Sequence, residues 1–204
     1  MTTTARPTYH HGDLRRALVA EGLALARGGG PEAVTLREVA RRLDVSPTAI
    51  YRHYPDRETL LGAVACEARQ ELARQMLAAM ARVEAPDAAA AAIGHLRAIG
   101  QVYLDVGREE PMLLATAFAP IPPPPGLIDD PSPWQVLNDA LDELVATGAM
   151  PAQRRAGAEI IAWAIVHGYA LLRTNHALDS VGGDRLDEDD LLDSVARALD
   201  IAGF

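Results

Sequence analysis

The sequence predicts an all-α protein, and three observations carry the prediction. Only 4% of the 204 residues are aromatic, while alanine and leucine abound, a balance that suits helix better than sheet. Apolar residues recur at helical spacing through most of the chain, the pattern of helices buried along one face. Ser, Thr or Asp stands before several of these runs and Gly or Pro lies beyond them, the residues that start and stop helices.

Taken in order, His11 to Arg27 places Leu14, Leu18, Val19, Leu23, Leu25 and Ala26 at helical spacing, and Gly28-Gly29-Gly30 with Pro31 is expected to end that helix. Thr35 and Glu38 form a capping box on a short second helix with Leu36, Val39, Ala40 and Leu43 on one face. Asp44-Val45 breaks it, and Ser46 caps a third helix with Pro47 at its first position. That helix is brief, Pro47 to about His53, because Pro55 disfavours helical geometry at Tyr54. Asp56 caps a long fourth helix, to about Val83, with Leu60, Leu61, Val64, Ala68, Leu72, Met76 and Met80 as its apolar face. Its length suits a connector between a head and a body.

The next helix, Asp87 to Gly107, carries two apolar stripes, Ile93, Leu96, Gly100, Tyr103 and Leu104 on one and Ile99, Val102 and Val106 on the other. A helix apolar nearly all round is expected to be central. A short helix, Pro111 to Phe118, leads into Pro120 to Pro133, too rich in proline for regular structure. Helices resume at Ser132 to Thr147, Pro151 to Ala177 and Asp187 to Ala202.

Several functions are disfavoured. No apolar run approaches the roughly 20 residues of a membrane span; Ile160 to Leu172 reads as a buried helix, and Met1 to Arg16 lacks a signal-peptide core. A cytoplasmic protein with no membrane partner is expected. The lone Cys66 has no partner for a disulfide and reads as a small core residue. No Cys/His spacing resembles a zinc site, and no metal or cofactor is expected. His10, His11 and Asp13 read as a solvated arm, on which Arg6 is placed to touch a minor groove. The acidic run Asp187 to Asp190 suits helix capping. The absence of a phosphate loop, nucleophile motif or metal cluster argues against an enzyme, so no catalytic residue is assigned.

The net charge of −9 is unevenly spread. Residues 1–64 hold nine arginines against seven acids, a net +2; the remainder holds ten against 21, a net −11. Every cation is Arg and none is Lys. A basic head on an acidic body orients a molecule on DNA, and the acidic body disfavours a non-specific architectural binder.

Leu36 to Tyr54 supplies the helix, short turn and second helix that enter a major groove. Ala40 is small where the helices approach, Val45 plugs the turn and Ile50 faces the core. Ser46, Pro47, Thr48, Ala49 and Arg52 are left for the groove, with Tyr51, His53 and Tyr54 for the DNA backbone or the core. Tyrosine hydroxyls and guanidinium groups suit phosphates; Thr reads base edges or a thymine methyl.

The run from Val34-Thr35-Leu36-Arg37-Glu38-Val39-Ala40 to Thr59-Leu60-Leu61 resembles the head of TetR-family regulators. The family places a tyrosine at the end of its recognition helix, an aromatic three residues on and a basic residue at the start of helix four; Tyr51, Tyr54 and Arg57 match, although Phe and Lys are commoner at the last two. The resemblance implies DNA contacts from Thr35, Arg37, Ser46, Pro47, Thr48, Tyr51, Arg52, Tyr54 and Arg57. It also implies a helix-turn-helix head over residues 1–55 and a helical ligand-binding and dimerisation domain over residues 56–204, joined by helix four.

Further on, Trp163-Ala164-Ile165-Val166-His167-Gly168 resembles the Trp-x-x-x-His-Gly signature of one subgroup of TetR-family C-terminal domains. It implies a homodimer in which the last two long helices pair across a two-fold axis, with Trp163, His167, Gly168, Leu171, Leu192, Val195 and Leu199 at the interface. Such a dimer sets two recognition helices roughly 34–36 Å apart and calls for a near-palindromic operator. Around the doubly apolar helix, His95, Ile99, Tyr103, Thr116, Phe118, Trp134 and Asn138 either line a cavity or pack as core, and the resemblance favours a cavity for a small, mostly apolar effector. A repressor released by that effector is the first expectation; an activator or a ligand-independent regulator is the alternative.

Overall fold

A computed structural model describes residues 11–179 and 187–203. Among these residues it contains nine α-helices, one 3-10 turn and no strand. No helix among them is long and apolar enough to cross a membrane. The His10 and Arg6 expectations lie outside the described residues.

Helix α1 spans His11–Ala33 with a kink inside the glycine run that was expected to end it. Gly28 and Gly29 stay helical, each costing about 1 kcal/mol relative to alanine, and Arg27 just before them pairs with Glu71 and, at 2.7 Å, with Glu110. The break falls at Gly30, with φ 67° and ψ −165°. Helices α2 (Leu36–Leu43) and α3 (Pro47–Tyr51) follow, and α3 ends two residues early because His53 and Tyr54 turn back onto the Ile50 carbonyl. Helix α4 is Arg57–Met80, started by the Asp56 carboxylate accepting from the Thr59 amide at 2.7 Å.

The body contains α5 (Ala88–Glu109), α6 (Pro111–Ala117), α7 (Pro133–Ala146), α8 (Ala158–Thr174) and α9 (Glu188–Leu199). The single helix expected from Pro151 is divided, because Gly157 adopts a left-handed conformation between the 3-10 turn Ala152–Arg154 and α8. As expected, Asp187 caps α9, accepting from the Asp190 amide. Its neighbours also tie the body together: Glu188 accepts from Gln101, Arg108 and Arg173, and Asp189 from Arg97.

Two cores result, and α4 belongs to both. Its Leu60, Leu61 and Val64 join Leu18, Val34, Val39, Ile50 and Tyr54 in the head; its Leu72, Ala73 and Met76 join Leu104, Leu141, Leu144 and Leu199 in the body. Each buried side chain of leucine size contributes about 1.5–3 kcal/mol. The short α6 bridges the two, with Leu113 and Ala117 in the head core and Leu114 in the body core. Phe118, at its end, packs against both.

The proline-rich segment has no regular structure, as predicted, but it is fastened to α4. Arg69 pairs with Asp129 and donates to the Ala117 carbonyl at 2.7 Å, and Gln70 donates to the Ile128 carbonyl at 3.1 Å. A methyl group on Gly62 would lie 2.6 Å from the Pro122 oxygen, so the segment seats there only because α4 offers a glycine. Cys66 is buried beside it, its thiol pushed up to about 12 by burial and then by Asp129. That thiol is an unreactive core group.

Candidate nucleic-acid interface and ligand cavity

Local rules build the head's outer face. Thr35 accepts from the Glu38 amide at 3.2 Å and Ser46 from the Ala49 amide at 3.3 Å, so both predicted caps form. Between them Asp44 takes a left-handed conformation, φ 50°, and the Val45 amide returns to the Ala40 carbonyl at 3.1 Å. With Ile50 fully buried, Ser46, Pro47, Thr48, Tyr51 and Arg52 are turned outward, Tyr51 being 56% exposed. Arg37, Pro47 and Tyr51 border one shallow cleft between α2 and α3.

Not every cation of the head is available to a phosphate. Glu38 does not complete the capping box; its carboxylate binds Arg41 at 2.6 and 2.9 Å and Arg42 at 3.2 Å. The Arg41 bonds above all hold the Glu38 carboxyl down at about 2. Arg42 is further engaged by Glu21 at 3.1 Å. Arg57 donates through Nε to the Val34 carbonyl at 2.9 Å and through Nη2 to the Pro31 carbonyl at 2.6 Å, clamping the α1–α2 corner.

In the body, α4, α5, α7, α8 and α9 line a partly open cavity of about 40 Å³. Met76, Leu96, Ile99 and Gly100 line one side, Trp163, Val166 and His167 another, and Leu192 and Val195 close it from α9. A methyl group on Gly100 would lie 2.4 Å from a Leu192 methyl, the end of a flexible side chain that would have to shift. The polar feature of the wall is the Tyr103 hydroxyl, 2.6 Å from His167 Nδ1. Burial lowers the His167 pKa and raises that of Tyr103, so both are neutral near pH 7. The Phe118 ring stands edge-on to Trp163 at 4.9 Å, and Trp134 lies 5.4 Å from Trp163 on the outer side.

Comparison with known proteins decides what this arrangement is. The family model described as bacterial regulatory proteins, tetR family, matches residues 18–64, and the one described as tetracyclin repressor-like, C-terminal domain, matches residues 96–199, half of the chain by itself. The chain belongs to the TetR family. It is a DNA-binding transcriptional regulator of the helix-turn-helix type. No curated protein matches it significantly. Among solved structures, a protein of unknown function from Rhodococcus sp. RHA1 is 24% identical with a TM-score of 0.72, over 95% of this chain and 98% of that one. The transcriptional regulator SCO7222, a TetR from Streptomyces coelicolor, is 20% identical with a TM-score of 0.61, over 91% of this chain and 95% of that one. A TetR variant from Acinetobacter baumannii AYE in complex with minocycline is 16% identical with a TM-score of 0.59, over 90% of this chain and 92% of that one.

Within this TetR fold the residues singled out from sequence separate into groups. On the head, Arg37, Ser46, Pro47, Thr48, Tyr51 and Arg52 share the outer surface. Tyr54 does not: it is 1% exposed, a core residue with the Arg15 guanidinium 5.8 Å from its ring centre, a neighbour that no sequence pattern signalled. In the body, Ile99 and Tyr103 line the cavity, whereas Phe118 and Trp134 stand behind its wall with their rings against Tyr103 and Trp163. The other three candidates lie off its wall. His95 pairs with Glu143 at 2.8 Å, the Thr116 hydroxyl donates to the Met112 carbonyl, and Asn138 binds the Trp134 carbonyl and Arg155.

The expected interface residues are also redistributed. Trp163, His167, Leu192 and Val195 line the cavity, and Leu199 is fully buried in the same protomer's core, so these five face inward. The apolar surface that α8 leaves exposed is Ile160, Ile161, Leu171 and Leu172, of which only Leu171 was expected. Gly168 has open space beside it. Helical spacing detects that α8 is apolar on both sides, but not which side meets α5 and which meets solvent.

Proposed function

We propose that this regulator is a homodimeric repressor, bound to a near-palindromic operator and released by a small, mostly apolar effector that enters the body cavity. The observation that carries the reading is the position of Phe118: its ring packs against the cavity's Tyr103, Trp163 and His167, while its other contacts are in the head core. A cavity of about 40 Å³ has room for about three waters at the roughly 10–15 Å³ each requires. Any larger occupant has to part the walls, and moving Phe118 moves α6, on which α1 and α4 of the head rest. An effector preferring the displaced arrangement shifts the population toward a dimer with wrongly spaced heads.

On the DNA side, Thr48 is the base-reading residue, with Ser46, Pro47 and Arg37 beside it. Tyr51 and Arg52 contact phosphates, and Thr35 and Arg57 act by fixing the ends of α1 and α2. Exposed Ile160, Ile161, Leu171 and Leu172 form the dimer surface on α8, with Gly168 allowing close approach. Because the partner is chromosomal DNA, the expected location is the cytoplasm. The minocycline bound to the Acinetobacter relative supports a small-molecule effector. The small cavity favours one alternative, a regulator without an effector. Selection of bound fragments from random duplex DNA tests the operator reading: an inverted repeat supports it, and no enriched motif defeats it. Repeating the selection against lysate-derived small-molecule fractions separates the two readings, since only an effector-controlled protein loses the motif.

A further inference from the structure

The cavity's walls specify more than apolarity. We propose that its effector is an uncharged molecule carrying a single hydrogen-bonding group, a carbonyl or a hydroxyl, which docks on the Tyr103–His167 pair. This rests on the reading of the cavity as the effector site and goes further by naming the chemical class.

Charge is considered first. No Arg, Asp or Glu lines the cavity. An ion entering would shed its hydration with no counter-charge to replace it, the least favourable kind of burial. The surrounding charges have partners elsewhere: Glu143 lies 2.8 Å from His95 Nδ1, and Arg97 faces Asp189 and Asp193. Aromatic boxes also hold quaternary ammonium groups, but these do so with open ring faces. Here Phe118 sets its edge to Trp163 at an interplanar angle of 88°, and Tyr103 packs against the same ring at 62°, so the rings largely occupy one another.

Polarity is considered next. The bond between the Tyr103 hydroxyl and His167 Nδ1 is 2.6 Å long. With the phenol donating, the imidazole proton sits on Nε2; with the imidazole donating, the phenol proton is released. Either way one donor and one lone pair of the neutral pair are left out of that bond; the wall shows almost no polar surface, so a guest meets them only by parting it. A purely hydrocarbon guest leaves both unused, and a guest with several polar groups finds no second partner on the wall. One carbonyl or hydroxyl on an apolar frame satisfies the site.

The molecule carries its own reporter. Its two tryptophans, Trp134 and Trp163, lie 5.4 Å apart at this cavity, so occupancy alters the intrinsic emission. Four probes of one shape separate the classes: cyclohexyl methyl ketone, ethylcyclohexane, cyclohexanecarboxylate and cyclohexyltrimethylammonium, with the ketone's own absorption and quenching corrected on free tryptophan. The ketone is expected to bind roughly tenfold more tightly than either ion and several-fold more tightly than the hydrocarbon, the ratio one net hydrogen bond gives. His167→Leu is expected to remove the ketone's advantage over ethylcyclohexane, and His167→Gln, which retains a donor, to keep part of it. Either ion binding as well as the ketone overturns the proposal, as does unchanged emission with all four probes. Operator release, measured by gel mobility in parallel, keeps the two readings apart. Ketone binding without DNA release defeats the effector reading alone; release by a charged probe that binds preferentially defeats the chemical class alone.

Discussion

The same substitution, glycine to alanine inside a helix, is expected to have opposite effects at Gly28 and Gly62. Both gain helix propensity, about 0.5–1 kcal/mol in favour of alanine. At Gly28 in α1 a methyl group meets nothing within 4 Å, so that gain stands. At Gly62 in α4 the methyl carbon would lie 2.6 Å from the Pro122 backbone oxygen and 3.2 Å from Pro124 Cδ. Neither neighbour is the end of a flexible side chain, and Arg69 and Gln70 fasten the same segment further along. Overpacking against rigid atoms costs about 1–3 kcal/mol, which exceeds the propensity gain. Gly62→Ala should therefore lose about 1 kcal/mol net, and Gly28→Ala should gain up to that amount. For a protein of this size 1 kcal/mol is about 2–4 °C in Tm, which differential scanning calorimetry resolves. If Gly62→Ala melts at or above the wild-type temperature, the proline-rich segment is not seated on α4 as described.

Three further outcomes follow from the geometry. Tyr51→Phe should weaken binding to all DNA sequences about equally, by roughly 1 kcal/mol for a lost phosphate hydrogen bond, whereas Thr48→Ala should change base preference at one position of the selected motif; the reverse pattern would misplace α3 in the groove. Ile160→Arg with Leu172→Arg puts two charges on the exposed face of α8, and sedimentation should then find monomers where the parent chain sediments as a dimer, with the circular dichroism spectrum unchanged. Burial lowers the His167 pKa below its ordinary 6.5 in the folded chain, so the unfolded state binds the extra proton. Stability should be full above about pH 6.5, the unfolded value, and decline as the pH falls below it; in His167→Gln, melting temperatures between about pH 5 and 8 should lose that component.

Helix-turn-helix elements were the most legible part of the chain because their rules are local. Ser46 caps α3 and Thr35 caps α2 through atoms three residues away, and Ile50 is buried as its spacing required. The misjudged positions are those where a side chain has more than one partner or neighbour within reach. Glu38 turns from its own cap to Arg41 and Arg42 one turn along its helix, whereas the glycine run does break α1, at Gly30. Tyr54, left open between the DNA backbone and the core and then placed at the DNA by the resemblance, is enclosed by the head core.

The sequence by itself determined an all-helical chain, the order of its helices, the caps that start them and the short outward-facing α3. Each of these depends on interactions within about four residues, a range that spacing and capping residues encode directly. The tertiary structure decided which side of each apolar helix faces which neighbour. It turned Trp163, His167, Leu192 and Val195 toward an internal cavity, left Ile160, Ile161, Leu171 and Leu172 outside, and set Phe118 between two cores. The hydrophobic effect rewards burial without direction. An apolar residue therefore records that it is to be covered, and only the packing of the whole chain establishes by what.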